Sequence, residues 1–209
     1  MNTVIIDGHP NPNSLCAAIA VEYAEAHSNS TVVALRDLIF DPSLHFGYTR
    51  RQQLEPDLEH TWKLLLDAQH IVVVTPIWWG SVPALLKGFF DRLLLPKRAY
   101  RVKSNGLPEG LLAGRTGRVI VTTDSPSWYL RLVGDTTVRH VRATTLRFCG
   151  IRPVRATRIG PVKGSTLEQR TRWLAKVGRL AEADAARLAR RPAAHNAPRS
   201  IDAERVNVS

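Results

Sequence analysis

Five short apolar runs rich in β-branched residues recur along the chain, at 4–7, 31–35, 71–75, 119–123 and, more weakly patterned, 154–159. The first four lack the polar alternation of a half-exposed strand. An unalternated run is what a strand looks like when both of its faces are covered, the usual state in a parallel sheet. Helical periodicity fills the intervals at 14–27, 56–68, 83–94, 132–148 and 166–190. Strands joined by helices make right-handed crossover units, so the pattern predicts an α/β domain, doubly wound in three layers.

The helix starts carry matching chemistry. Ser14 is placed to cap the first helix, and Ser165 with Glu168 reads as a capping box for the last. Lys87 and Asp91 stand four apart on one helix face and can pair there without any functional role. Two long connections, 36–53 and 96–117, stand out, because long ordered loops in compact domains are often functional. Beyond residue 190 apolar periodicity gives way to Ala, Pro, Asn, Ser and charge. The chain therefore divides into a folded domain at 1–190 and a flexible basic and polar tail at 191–209.

With 209 residues, 44% hydrophobic and 22% charged, the chain can bury one core and leaves no room for a second catalytic domain. Its longest apolar runs fall well short of the roughly 18–20 residues that span a bilayer. Met1 leads straight into a strand with no export signal, so a cytoplasmic location is expected. Cys16 and Cys149 are too few for a disulfide framework and lie far apart, so they read as buried small hydrophobes. No His/Cys or HExxH spacing supports a metal. The net charge of +11 is large, yet the basic residues are not interleaved with aromatics as on a nucleic-acid platform, and nucleic acid is not an expected partner. The charge fits a solvated surface or a tail better than a specific site.

In an open parallel sheet the ligand sits beyond the carboxyl ends of the strands where strand order reverses. The loop after the first strand runs from Gly8 through His9, Asn13, Ser14 and Leu15 into a helix N-terminus, where backbone N–H groups favour a phosphate. It is neither a GxGxxG nor a GxxxxGKS loop, which removes the main support for a dinucleotide-fold or NTPase reading. Ser14 can be both cap and phosphate neighbour. The loop after the third strand reads Pro76, Ile77, Trp78, Trp79, Gly80; its two tryptophans are either core or interface residues, or a flat wall for an aromatic ring. The next loop carries Thr122, Thr123 and Asp124, with Trp128 and Tyr129 beyond. A phosphate loop facing two aromatic-bearing loops points to a phosphorylated aromatic cofactor such as flavin mononucleotide.

At these residues the chain resembles the flavodoxin-like NAD(P)H:quinone oxidoreductases, a group that includes DT-diaphorase, the bacterial modulators of drug activity and the ancillary reductases of potassium efflux systems. The resemblance rests on Gly8-His9-Pro10 with Ser14, Phe40-Asp41-Pro42, Leu54-Glu55-Pro56-Asp57, Pro76-Ile77-Trp78-Trp79-Gly80, Pro83-Ala84-Leu85-Leu86-Lys87-Gly88-Phe89-Phe90-Asp91-Arg92 and Phe148-Cys149-Gly150. The stretch from Pro76 to Arg92 is the most specific, and the whole covers about residues 1–182. It implies a flavodoxin-like sheet of five parallel strands in the order 2-1-3-4-5, with helices on both faces. It also implies that His9 and the Asn13 to Leu15 turn hold the flavin phosphate or pyrophosphate, that Pro76 to Gly80 run along the ring, and that Thr122, Thr123 and Asp124 close it from the other side. The family pattern often has Thr-Thr-Gly-Gly where this chain has Thr122-Thr123-Asp124-Ser125. Tyr129 lies near a family tyrosine associated with charge relay in hydride transfer, and Trp79, Trp128 and Tyr129 would line the substrate slot.

The expected activity is thus hydride transfer from NAD(P)H through bound FMN, or FAD, to a quinone or similar aromatic acceptor in ping-pong order, with the cofactor carrying the chemistry. The modest length favours FMN. The resemblance further implies a homodimer with sites at the interface, and the loop bearing His45, Phe46 and Tyr48 either covers the partner's flavin or packs on its own core. Arg98, Arg101 and Arg115 could meet a 2′-phosphate, although surface arginines are commoner than ligands. An alternative from another class is a regulatory flavoprotein subunit of a potassium efflux system, reductase activity being secondary and the basic surface facing a peripheral membrane partner.

Overall fold

The computed structural model describes residues 1–132 and 134–191, so the tail expected at 191–209 lies, but for Arg191, outside the described residues. In chain order the elements are β1 (Thr3–Asp7), α1 (Leu15–Glu25), β2 (Ser30–Ala34), α2 (Pro56–Asp67), β3 (His70–Pro76), α3 (Ala84–Leu93), β4 (Tyr100–Val102), β5 (Pro108–Gly110), β6 (Thr116–Thr122), α4 (Ser127–Leu132), α5 (Thr136–Arg139), β7 (Val154–Ile159) and α6 (Leu167–Ala189). Five strands form one sheet in the order β2-β1-β3-β6-β7, every neighbouring pair parallel. Numbered along that sheet, this is the expected order 2-1-3-4-5.

The absence of polar alternation in the central strands follows from coverage on both sides. Val4, Ile6, Ile71, Val73, Val119 and Val121 face a core closed by α2 and α3 through Trp62, Leu65, Leu86 and Phe89. The intervening Ile5, Val72, Val74 and Ile120 face a second core closed by α1 and α6 through Ile19, Tyr23, Val177 and Ala181. Each such side chain contributes about 1.5–3 kcal/mol by leaving water. At the amino ends of the strands a polar seam interrupts this second layer. Asp184 of α6 accepts from Arg118 at 2.5 Å and from the Tyr23 hydroxyl at 2.9 Å, and His70 lies 3.1 Å from that hydroxyl and 2.6 Å from Thr116 Oγ1. Burial works against the Asp184 carboxylate, but the Arg118 hydrogen bond and charge still bring its pKa below the ordinary value.

Several expectations are corrected. The helix at 132–148 is not continuous: Gly134 and Asp135 take left-handed φ values of 79° and 47°, ending α4, and α5 then widens into a π-helical segment at His140–Leu146. The capping box of α6 falls one residue later than predicted. Thr166 Oγ1 accepts from the Gln169 amide at 3.2 Å and Gln169 Oε1 accepts from the Thr166 amide at 2.8 Å, while Ser165 donates to Val162 O and accepts from Arg170. The connection at 96–117 holds the antiparallel β4–β5 hairpin, whose three-residue strands are too short to show a period. The Ser14 cap is as expected, its hydroxyl accepting from the Ala17 amide at 3.1 Å. Among the described residues no helix is long and apolar enough to cross a membrane.

Candidate functional site

The loops after β1, β3 and β6 meet at the carboxyl end of the sheet. The β1–α1 loop is folded by its own polar side chains. His9 and Asn11 each return a bond two residues on: His9 Nδ1 accepts from the Asn11 amide at 3.0 Å and Asn11 Oδ1 from the Asn13 amide at 2.8 Å. The His9 amide donates to Asp7 Oδ1 at 3.1 Å. Gly8 packs closely on α3: a Cβ there would lie 2.8 Å from Leu86 Cδ2, so that buried side chain would have to shift.

This loop is braced from outside. Arg36, in the 3-10 turn after β2, donates from Nη1 to the fully buried Asp7 carboxylate at 2.5 Å and to the His9 carbonyl at 3.1 Å. Sequence reading did not single out this pair, since an Asp at a strand end and an Arg 29 residues later carry no spacing signal. Burial lowers the His9 pKa, with Asp7 opposing and Arg36 assisting. A neutral ring whose Nδ1 already accepts from Asn11 carries its proton on Nε2, which is the form that donates to an anion.

The α1 N-terminus supplies further donors. Ser14 Oγ serves Ala17 and Ser14 O serves Ala18, so Leu15 and Cys16 keep amide N–H groups with no partner among the described residues. Asn13 is exposed, and Ser14 and Leu15 are half-buried beside them. Unpaired amides at the positive end of an 11-residue helix are a ready anion site, and this arrangement fits the phosphate of a flavin mononucleotide.

The β3–α3 loop makes a two-residue hairpin. Trp78 and Ser81 exchange backbone hydrogen bonds of 2.9 Å each, and the two residues between them, Trp79 and Gly80, both have positive φ, 51° and 70°. Such a turn normally takes Asn-Gly. A tryptophan in a left-handed conformation is strained, and here its side chain is fully exposed, at 104%. Trp78 turns its ring edgewise to His9 at 5.4 Å between centroids, so the first two loops touch. The Ile77 amide donates to Thr122 O at 2.9 Å and Thr136 Oγ1 donates to Gly80 O at 2.5 Å, which ties the hairpin to β6 and α5.

In the third loop the predicted residues are drawn mainly inward. Thr122 and Thr123 are buried; Thr122 Oγ1 lies 3.2 Å from Cys16 Sγ, and Thr123 Oγ1 accepts from the Ser125 amide at 3.0 Å. Asp124 Oδ1 accepts from the Lys163 amide at 2.6 Å, which ties this loop to the connection before α6. Trp128 and Tyr129 are exposed at the start of α4 and pack edge to face at 6.0 Å. The structure thus joins His9, Trp78 and the α1 N-terminus in one cradle, with Trp79 exposed in the adjoining hairpin.

The other motif residues are mainly structural. Fully buried Arg92 donates to the carbonyls of Asp41 and Gln53 and, at 3.0 and 2.8 Å, to both oxygens of Glu55, fastening the ends of the loop that carries Phe46 and Tyr48. Arg98 pairs with Glu59 at 2.9 Å over the Trp62 ring, Arg101 pairs with Glu109 at 2.6 Å, and Arg115 donates to the carbonyls of Leu65 and Leu66. Those three arginines are therefore engaged within the fold rather than held open for a 2′-phosphate. Burial pushes the thiols of Cys16 and Cys149 up to about 12, as expected of inert cysteines.

Comparison with known proteins agrees with this geometry. A family model described as "Flavodoxin-like fold" matches residues 1–181. A Haemophilus influenzae protein named "Uncharacterized NAD(P)H oxidoreductase" is 31% identical over 172 residues, covering 78% of this chain and 85% of its own. An Acidovorax ebreus protein named "FMN-dependent NADH:quinone oxidoreductase" is 29% identical over 170 residues, covering 73% and 77%. The crystal structure of Smu.1420 from Streptococcus mutans superposes with a TM-score of 0.78 at 28% identity, over 88% of this chain and 100% of that one. With its sheet order and a family match over most of its length, the chain belongs to the flavodoxin-like fold family.

Proposed function

We propose that the chain is an FMN-dependent NAD(P)H oxidoreductase that reduces a quinone or a similar aromatic acceptor, donor and acceptor using one slot in turn. The observation that carries this reading is the cradle itself: the unpaired Leu15 and Cys16 amides and the Nε2–H of His9 beside the Trp78–Trp79 hairpin. When bound, the flavin supplies the hydride relay.

The protein's part is positioning and electrostatics. Asn13, Ser14 and Leu15 hold the phosphate at the α1 N-terminus. Pro76, Ile77, Trp78, Trp79 and Gly80 form the wall beside the ring, while Thr122, Thr123 and Asp124 set the path of the opposite loop. Trp79 and Trp128 supply flat apolar surface for the nicotinamide and then the acceptor, and they exclude water from it. Tyr129 places a hydroxyl next to that surface as a hydrogen-bond donor to the acceptor oxygen. The aromatic loop with Phe46 and Tyr48 completes the slot of a second subunit in a homodimer.

An absorption experiment tests this. The purified chain is supplemented with FMN or FAD, freed of unbound flavin, and treated anaerobically with NADH or NADPH, then with a quinone. Retained FMN whose visible band bleaches and returns is the expected result. Failure to retain either flavin would sink the reading; retention without bleaching would leave a flavin-binding protein that is not a reductase.

A further inference from the structure

The net charge of +11 is not absorbed by the flavin cradle, and the structure shows where part of it gathers. Beyond the end of the edge strand β7, an open groove of about 500 Å³ lies between the loop leading to α6 and that helix. Lys163, Arg172, Lys176 and Arg179 line it, together with Gln169 and Trp173, and no carboxylate does. None of the residues of the flavin cradle belongs to it.

Lys163, Lys176 and Arg179 have no ion-pair partner among the described residues, and Arg172 has one contact, 3.8 Å from Glu168, with both side chains exposed. Arg172, Lys176 and Arg179 stand at i, i+4 and i+7 of α6, so like charges sit on one face where helix formation favours opposite ones. A local rule broken on a long, otherwise well-capped helix points to a ligand that relieves the repulsion. At 1.5 Å per residue the three cations extend over about 10 Å, longer than a single phosphate and suited to a polyphosphate chain. Trp173 adds a half-buried aromatic surface, held in place by packing against the α1–α6 core. The groove falls within the roughly 300–1,000 Å³ typical of small-molecule sites.

We propose that this groove binds a nucleotide, its phosphates on Lys163, Arg172, Lys176 and Arg179 and its base on Trp173. The Lys163 amide bonds to Asp124, so an occupant here touches the segment that anchors the third loop of the flavin cradle.

Calorimetric titration of the full chain tests the proposal, with one equivalent of FMN bound in the cradle, unbound flavin removed, and ATP, tripolyphosphate and adenosine as probes. ATP is expected to bind more tightly than either of the other two. The double variant Lys176→Glu/Arg179→Glu should weaken ATP at least tenfold, whereas Lys176→Arg/Arg179→Lys should keep it. Circular dichroism identical to the parent shows that the exposed substitutions leave the fold intact. ATP binding that survives the charge reversal places the ligand elsewhere and overturns the proposal. Tripolyphosphate binding as tightly as ATP also overturns it, as a groove that reads charge alone. So does retention on phosphatidylserine vesicles with no ATP binding, since the surface would then be a membrane contact.

Discussion

Arg36 reaches the carboxylate of Asp7, at the end of β1, from the turn after β2, 2.5 Å away, and the same Nη1 donates to the His9 carbonyl at 3.1 Å. One guanidinium thus neutralises a charge that water cannot reach and shapes the loop proposed to hold the flavin phosphate. Because Asp7 is fully buried, removing its partner leaves an uncompensated charge in the interior. Arg36→Met is expected to destabilise the chain by about 3 kcal/mol in urea unfolding. Adding Asp7→Asn should restore most of that loss, while FMN affinity stays weakened in both variants because the brace on His9 is gone. Equal stability of the single and double variants would contradict the pairing.

The left-handed Trp79 makes a prediction of opposite sign. Its φ of 51° strains any side-chain-bearing residue, and its full exposure means that no packing offsets the strain. Trp79→Gly should stabilise by about 1 kcal/mol, or raise Tm by roughly 2–4 °C at this chain length. Quinone reductase turnover should fall at the same time. A variant that loses both stability and activity would show that the indole is held in place by contacts within the fold.

His70 gives the stability a pH dependence. Burial is the main cause that lowers its pKa to about 4, with Asp184 opposing and His27, Arg118 and Arg155 adding to the shift. The folded state therefore binds this proton less readily than the unfolded chain, for which about 6.5 applies. The contribution is fully present above pH 6.5 and is lost as the pH falls toward 4, at up to about 1.4 kcal/mol per pH unit. Urea midpoints measured from pH 7 to pH 4.5 should fall accordingly, and His70→Asn should flatten that part of the curve. The Asp184 pKa, lowered despite burial by Arg118, adds a further loss at lower pH, below the ordinary carboxylate range.

Arg92 fastens both ends of the aromatic loop, so its loss should free the loop before it unfolds the domain. In Arg92→Met, trypsin should cut after the exposed Arg50 or Arg51 much faster than in the parent chain, at protease concentrations that leave the sheet intact. Cleavage at unchanged rate would mean that the His45–Asp41 bond of 2.6 Å and the Arg50–Phe46 contact hold the loop by themselves.

The unalternated strands, the Ser14 cap and the order of the loops were all legible in the chain, because each depends on residues close together in sequence. The hairpin within 96–117 was not, since strands of three residues carry no measurable period. The break before α5 rests on Asp135 taking a left-handed conformation, which its residue type permits but does not dictate.

Local pattern alone determined that this chain winds helices around a sheet whose central strands are covered on both faces, and where along it the loops at the carboxyl end fall; at the edge, Thr31 and Val32 of β2 stay exposed. Tertiary structure decided which charges matter. Arg36 and Arg92 became buried clasps because carboxylates and carbonyls 27 to 51 residues away were folded against them. Asp124 was turned toward Lys163 by the connection before α6, and on that helix Arg187 found Asp184 while Lys176 and Arg179 were left without an ion-pair partner among the described residues. The energy of a charge depends on what surrounds it in space, and spacing along the chain does not carry that information.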